Sequence, residues 1–227
     1  MGTDDLFKKK KAQLKSRESG NREPKPDSFL IITEGKQTEP NYFNGLADYI
    51  NKRFGKSIDV EMPTIEAQGE GKCTVSLVNA AAQIATRSKI LYSETWVLFD
   101  KDDFDDFDEA VELCKSYRFC PGWSNQCFEF WLLLHFVYCD AALHRTVIFE
   151  KLNQIFKDYK ICETGYNKNN KDLFEHVTSY GSIKKAVRYA ERIDMQYAEN
   201  TPPSKCDPCT KVYILIQKLE RWLQDLN

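Results

Sequence analysis

The hydrophobic pattern of the first half alternates between short apolar runs and helical periodicity. Phe29–Thr33, FLIIT, is an uninterrupted apolar run that predicts a buried strand. Tyr42, Phe43, Leu46, Tyr49 and Ile50 recur at helical spacing behind Thr38, a good N-cap, and Pro40, which suits a first turn. Ile58, Val60 and Met62 alternate as a strand does, with Pro63 at or near its end, and Gln68–Lys72 reads as a loop. Thr74 is placed to cap a helix carrying Val75, Val78, Ala81, Ala82 and Ala85 on one face. Trp96–Phe99, WVLF, predicts a third strand, followed by a helix near Phe107–Tyr117 and a short strand within Arg118–Trp123. Ser124-Asn125 is positioned to cap Cys127–Tyr138, which is apolar nearly all round and therefore a buried helix.

The second half is mostly helical, with apolar periodicity in Ala141–Tyr159, Lys171–Thr178, Ser182–Ala198 and Thr210–Leu226, and a polar loop over Ile161–Asn170. Alternating strands and helices predict an α/β fold with a mostly parallel sheet flanked by helices. The expected organisation is a flexible basic arm over 1–27, an α/β core over 28–138, and a helical C-terminal extension over 139–227 packed on the core.

Charge adds one feature. The formal net charge is −2, but residues 1–27 carry eight Lys/Arg against five Asp/Glu, with four in the run Lys8–Lys11. Such an arm can touch phosphates, but a solvated tail is the favoured reading. No apolar run reaches the length of a membrane span. No apolar segment follows the N-terminal lysines as a secretory signal would, so a cytoplasmic chain with its eight cysteines reduced is expected.

The candidate chemistry begins where WVLF turns acidic at Asp100, Asp102, Asp103, Asp105 and Asp106. These residues follow a predicted strand, where open α/β sheets place ligand sites. Residues two apart on an extended chain share a side, so Asp100 and Asp102 can face one cation. Asp103, Asp105 and Asp106 read as solvated loop. The first strand ends the same way, in Glu34-Gly35, so in a parallel sheet Glu34 and the two aspartates occupy the same edge. One glutamate and an Asp-x-Asp pair can position Mg²⁺ or Mn²⁺ to polarise a phosphodiester and activate a water.

Four stretches, FLIITEGKQTEPNYFNGL, WVLFDKDDF, SNQCFEFWLLLHF and DPCTKVYILIQKL, occur in this order and together resemble the RloB family. That family is similar to the AbiLii abortive-infection proteins and has a Toprim-like fold; the resemblance covers roughly residues 28–226. It implies a bacterial defence protein encoded near an ATPase partner, with metal-dependent phosphodiester chemistry on DNA or RNA. By the same resemblance Glu34 matches the Toprim glutamate and Asp100 and Asp102 its Asp-x-Asp pair. Glu39 matches the second acidic residue of the family's EG…TE motif, as a metal ligand or a helix cap. Glu129 and His135 match the CFE…WLLLHF motif. They are six residues apart and about 120° apart on a helix, so they need not meet. Glu129, a carboxylate in a buried helix, is the functional candidate, and His135 reads as a core histidine. Gln126 stands where the family more often has proline.

The remaining motifs carry less. Lys36 and Lys101 adjoin the acidic residues, as phosphate contacts or as charge balance. Cys206-x-x-Cys209 has no second ligand pair nearby for zinc; a thiol before a helix could serve redox chemistry, but a structural loop is favoured. His144 and His176 read as surface residues without partners. A haloacid-dehalogenase-type phosphatase would use Asp100 as covalent nucleophile, but Asp103-Phe104 replaces the expected Gly-Thr and Glu34 is left unexplained. The expected function is therefore a metal-dependent nuclease acting on nucleic acid. The alternative is a catalytically inactive Toprim-like subunit that binds nucleic acid or regulates a defence complex. No P-loop motif is present, and self-association into a homo-oligomer stays open.

Overall fold

The computed structural model of the chain describes residues 23–55 and 64–226. Its centre is a four-stranded, wholly parallel sheet in the order β2-β1-β3-β4, formed by β1 (Lys25–Thr33), β2 (Thr64–Gly69), β3 (Tyr92–Leu98) and β4 (Cys120–Pro121). The helices α1 (Thr38–Phe54), α2 (Thr74–Arg87) and α3 (Phe107–Ser116) carry the chain from strand to strand.

The unbroken apolar runs are explained by burial on both faces, the usual state of a parallel sheet. Phe29, Ile31, Trp96 and Leu98 point into one apolar cluster, with Tyr42, Phe43 and Leu46 of α1. Leu30, Ile32, Val97 and Phe99 point into the other, with Leu77 and Val78 of α2 and Phe107 and Val111 of α3.

The first cluster extends into the second half of the chain. It takes in α4 (Phe128–Leu134), all seven residues of which are buried. It also takes in the apolar faces of α5 (Arg145–Asp158), α6 (Leu173–Tyr180), α7 (Ile183–Asp194) and α8 (Val212–Lys218). A two-stranded antiparallel ladder, β5 (Ser124–Asn125) with β6 (Cys209–Thr210), ties the C-terminal portion to the sheet side, and Ser124 Oγ and Thr210 Oγ1 lie 2.9 Å apart.

Several sequence expectations are corrected. The strand expected over Ile58–Met62 lies outside the described residues, as does the arm up to residue 22. The observed β2, Thr64–Gly69, takes Gln68 and Gly69, expected in a loop, into its final rungs opposite Ile32 and Thr33. Lys25–Asp27, expected in the arm, belong to β1. Thr38 and Thr74 are the first residues of their helices rather than side-chain caps. Thr74 instead donates from Oγ1 to Asp106 Oδ2 at 2.9 Å, joining two helix starts. Ser124-Asn125 pair as β5 instead of capping, because the ladder to β6 satisfies their backbone. All eight cysteines are free thiols. Burial raises both Cys206 and Cys209, which opposes redox use of the Cys-x-x-Cys pair. Among the described residues, no helix is long and apolar enough to cross a membrane.

Candidate metal centre

The pairing of β1 with β3 brings two loop entries side by side: Thr33 lies opposite Leu98, and Glu34 N donates to Leu98 O at 3.0 Å. Glu34 and Asp100 therefore leave the sheet at the same edge. Glu34 Oε2 accepts a hydrogen bond from Asp100 N at 3.2 Å, so the first carboxylate is braced by the backbone of the second. The exit of β1 is fixed from its other side by Glu70 N to Thr33 O and Gly71 N to Glu34 O.

Glu39 arrives from the first turn of α1. It is buried, and its Oε1 accepts from Gly35 N at 3.0 Å. This close approach explains the glycine: a Cβ at position 35 would lie 2.3 Å from Glu39 Oε2. Gly69 is required similarly, since a Cβ there would lie 2.4 Å from Gly35 O.

Glu129 comes from the first turn of α4 and is only 2% exposed. Its Oε1 accepts from Tyr166 Oη at 3.1 Å and faces Lys168 Nζ at 3.3 Å. Asp102, in the left-handed region at φ +39, is paired with Arg145 Nη1, and Arg145 Nη2 reaches Asp103 Oδ2 at 3.0 Å. The Arg145 backbone N–H also donates to Gln126 Oε1 at 2.9 Å, so the start of α5 and the Asp102 loop are held as a unit.

Glu34, Glu39, Asp100, Asp102 and Glu129 all line one open cleft of about 280 Å³, with Lys168 at its rim. Their electrostatics reflect crowding. Burial raises Glu34 from 4.5 to about 7, with Asp102 and Glu39 adding repulsion against the hydrogen bond from Asp100 N. Burial raises Glu39 as well, reinforced by Glu129. Asp100 is pushed well above the carboxylate range by burial and by the charges of Glu39, Glu129, Glu34 and Asp102. A group of acids that cannot all ionise together is a site short of positive charge.

Among the described residues, no three His, Cys, Asp or Glu side chains form a ready-made cage for an ion. The donors in the cleft are carboxylate oxygens, which suit Mg²⁺ or Mn²⁺; Mg²⁺ is commonly held through one or two carboxylates, with waters and substrate phosphates completing its shell. The donor chemistry therefore fits a divalent ion, with Glu34 and Asp100 adjacent and Glu39 beside them.

Residues 29–219 match the model of the RloB-like protein family. The chain belongs to the RloB-like family. The match contains all five cleft carboxylates together with Arg145, Tyr166 and Lys168. No curated protein and no solved structure matches the chain significantly.

Within this RloB-like chain the two acidic segments read from the sequence do meet, and Glu39 and Glu129 join them. His135 does not. It is buried between Tyr42 Oη, 3.2 Å from Nε2, and Trp131 O, 3.0 Å from Nδ1, and burial lowers it to about 4, so it is a neutral core residue at physiological pH. Lys101 turns from the cleft and donates to Phe104 O at 2.8 Å, leaving Lys36 as the neighbouring lysine that lines the cleft. His144 is exposed and accepts from Thr146 N as a cap of α5, and His176 pairs with Asn170, so each has a partner after all.

Sequence reasoning missed Tyr166, Lys168 and Arg145. Tyr166 and Lys168 lie in the loop read only as polar, and Arg145 begins a helix noted only for its apolar face. Their roles arise from packing of the C-terminal portion against the sheet edge, and no local signal marks them.

Proposed function

We propose that this RloB-like protein is a divalent-metal-dependent nuclease that hydrolyses phosphodiester bonds of DNA or RNA, acting in anti-phage defence beside an ATPase partner. The observation that carries the reading is the convergence of five carboxylates on one cleft at the carboxyl edge of a parallel sheet. They come from the ends of two adjacent strands and the starts of two helices. The Toprim-like resemblance of the sequence motifs is compatible with this architecture and supplies the expected chemistry.

Glu34 and Asp100, with Glu39 and Asp102 beside them, are the residues that would hold Mg²⁺ or Mn²⁺. The ion would supply Lewis acidity toward a phosphodiester and an activated water. The chain's own contributions are distinct. In the metal-free protein Glu34, with its carboxyl at about 7, can hold a proton near neutral pH, and it would release that proton as an ion is taken up. Asp100 is fixed through its own backbone to Glu34. Glu129 is held by Tyr166 and Lys168 and sets the negative potential of the inner wall. Arg145 fixes the loop that carries Asp102.

The reading is tested by incubating the protein with plasmid, single-stranded DNA and total cellular RNA in Mn²⁺, Mg²⁺ or EDTA, alongside Asp100→Ala. Cleavage in the metal lanes that disappears in the variant and in EDTA is expected, and the susceptible lane identifies the substrate. Binding of nucleic acid without cleavage, both alone and with the partner ATPase supplied, would instead favour a non-catalytic subunit.

A further inference from the structure

Two lysines, Lys36 and Lys168, line the cleft, and Lys168 has so far been assigned only its contact with Glu129. Lys168 lies in the loop between α5 and α6, and its side chain is 56% exposed. Its ammonium nevertheless sits 3.3 Å from Glu129 Oε1 and 4.8 Å from the centre of the Phe149 ring. The reach is prepared by the backbone. Asn41 Nδ2 donates to Lys168 O at 3.4 Å, tying the loop to α1, and Asn169 N and Asp172 N donate to Asn167 Oδ1 and Asn170 Oδ1 at 2.9 and 3.0 Å. These short side-chain bonds hold the loop in turns, so the lysine is presented to the cleft rather than trailing over it.

Its placement differs from that of Arg145 and Lys101. Arg145 is committed to Asp102 and Asp103, and Lys101 to carbonyl oxygens of its own loop. Lys168 alone among these three faces the inner wall, and its charge also acts on Glu34, Glu39 and Asp100. It is a monovalent cation beside a cluster whose donor set suits a divalent one, on a long stem with a half-exposed head. Two cations cannot share Glu129 and its neighbours without repelling each other. An ammonium displaced from that contact remains at the cleft rim, where the phosphate of a substrate must lie to reach Asp100.

We propose, building on the nuclease reading above, that Lys168 is an exchangeable cation of this cleft: it neutralises Glu129 until a divalent ion enters, and its ammonium then turns to a phosphate of the nucleic-acid substrate. Lys168 is thus a substrate-positioning residue whose contact depends on the occupancy of the metal site.

The test compares wild type, Lys168→Met and Lys168→Arg in two readouts besides cleavage. One is calorimetric titration with Mn²⁺. The other is anisotropy binding of a labelled single-stranded DNA oligonucleotide, with RNA of the same sequence alongside, in Ca²⁺ and in EDTA. Removing the competing charge should tighten Mn²⁺ binding of Lys168→Met about tenfold. The same variant should bind the oligonucleotide more weakly in Ca²⁺, with a salt dependence lower by about one phosphate contact, yet match wild type in EDTA. Lys168→Arg should follow wild type in both. Equal Mn²⁺ affinities, equal weakening in Ca²⁺ and EDTA, or oligonucleotide binding in Ca²⁺ indifferent to Lys168 would each overturn the inference while leaving the nuclease reading intact. A wild-type protein that takes up no Mn²⁺ would overturn both.

Discussion

Replacing Glu34 with glutamine should make the metal-free protein more stable, by an amount that grows as pH rises from about 4.5 to about 7 and is complete above it. The carboxyl of Glu34 is raised from 4.5 to about 7, first by burial and then by Asp102 and Glu39. Around pH 4 the carboxyl is mostly protonated whether the chain is folded or unfolded, and charge contributes little difference between wild type and Glu34→Gln. Between 4.5 and about 7 the unfolded chain releases its proton while the folded chain keeps it, so wild type loses stability as pH rises. Above about 7 the folded state carries the crowded anion and the deficit is complete. Taken at about 1.36 kcal/mol per pH unit, the rise corresponds to roughly 3 kcal/mol. Glu34 is partly open to water, and screening reduces the expected gain to about 1–2 kcal/mol. In a chain of this size that is about 2–8 °C in Tm. Glutamine retains an acceptor for Asp100 N, and removing the Glu34 charge also relieves Asp100, which shifts the result in the same direction. Thermal unfolding of the two proteins from about pH 4 to about pH 8.5 measures the gap, and adding Mn²⁺ should close it by stabilising wild type selectively. A Glu34→Gln protein less stable than wild type at alkaline pH, or a gap that does not change with pH, would refute the electrostatic reading of the cleft.

Three further outcomes follow from named contacts. Tyr166→Phe keeps the ring against Phe149 and Phe156 but removes the hydrogen bond to the buried Glu129, and should cost about 1.5–3 kcal/mol in urea unfolding; a loss below about 0.5 kcal/mol would contradict that bond. His135, lowered from 6.5 to about 4 by burial, contributes a loss of stability as pH falls through that window, because the unfolded chain takes up the proton first, and this opposes the Glu34 contribution; the stability of wild type relative to His135→Gln should therefore fall as pH drops from about 6.5 to about 4, and a difference that does not change with pH would place the titration elsewhere. Deleting residues 1–22, which carry the run Lys8–Lys11, should flatten the salt dependence of nucleic-acid binding without changing Tm; an unchanged slope would exclude that segment from the contact.

How far the sequence exposes the site depends on which forces set each part. Glu34, Asp100 and Asp102 were legible because each follows an apolar run that must be a strand buried on both faces, and parallel strands end on one edge. The alternation of strand and helix gave the sheet's class for the same reason. β2 was harder: Thr64–Gly69, TIEAQG, is only partly buried, so it lacks the apolar run that marks β1 and β3. The β5–β6 ladder was invisible because it joins two-residue strands some 84 positions apart, too short to leave a periodic signal. Arg145, Tyr166 and Lys168 reach the carboxylates only because the C-terminal helices pack against α1 and α4, and a sequence carries no local mark of such contacts. The failed N-caps at Thr38 and Thr74 are a different case: both residues are buried, and at Thr74 a nearby carboxylate took the hydroxyl.

The central claim is that the carboxylate cleft holds a divalent ion, and Mn²⁺ anomalous scattering from soaked crystals tests it most directly. The account predicts a peak at the edge of the sheet, with carboxylate oxygens of Glu34 and Asp100 about 2.0–2.3 Å away and Lys168 moved from Glu129. Well-diffracting crystals that show no peak in this cleft at saturating Mn²⁺, or a peak only elsewhere on the chain, would contradict it.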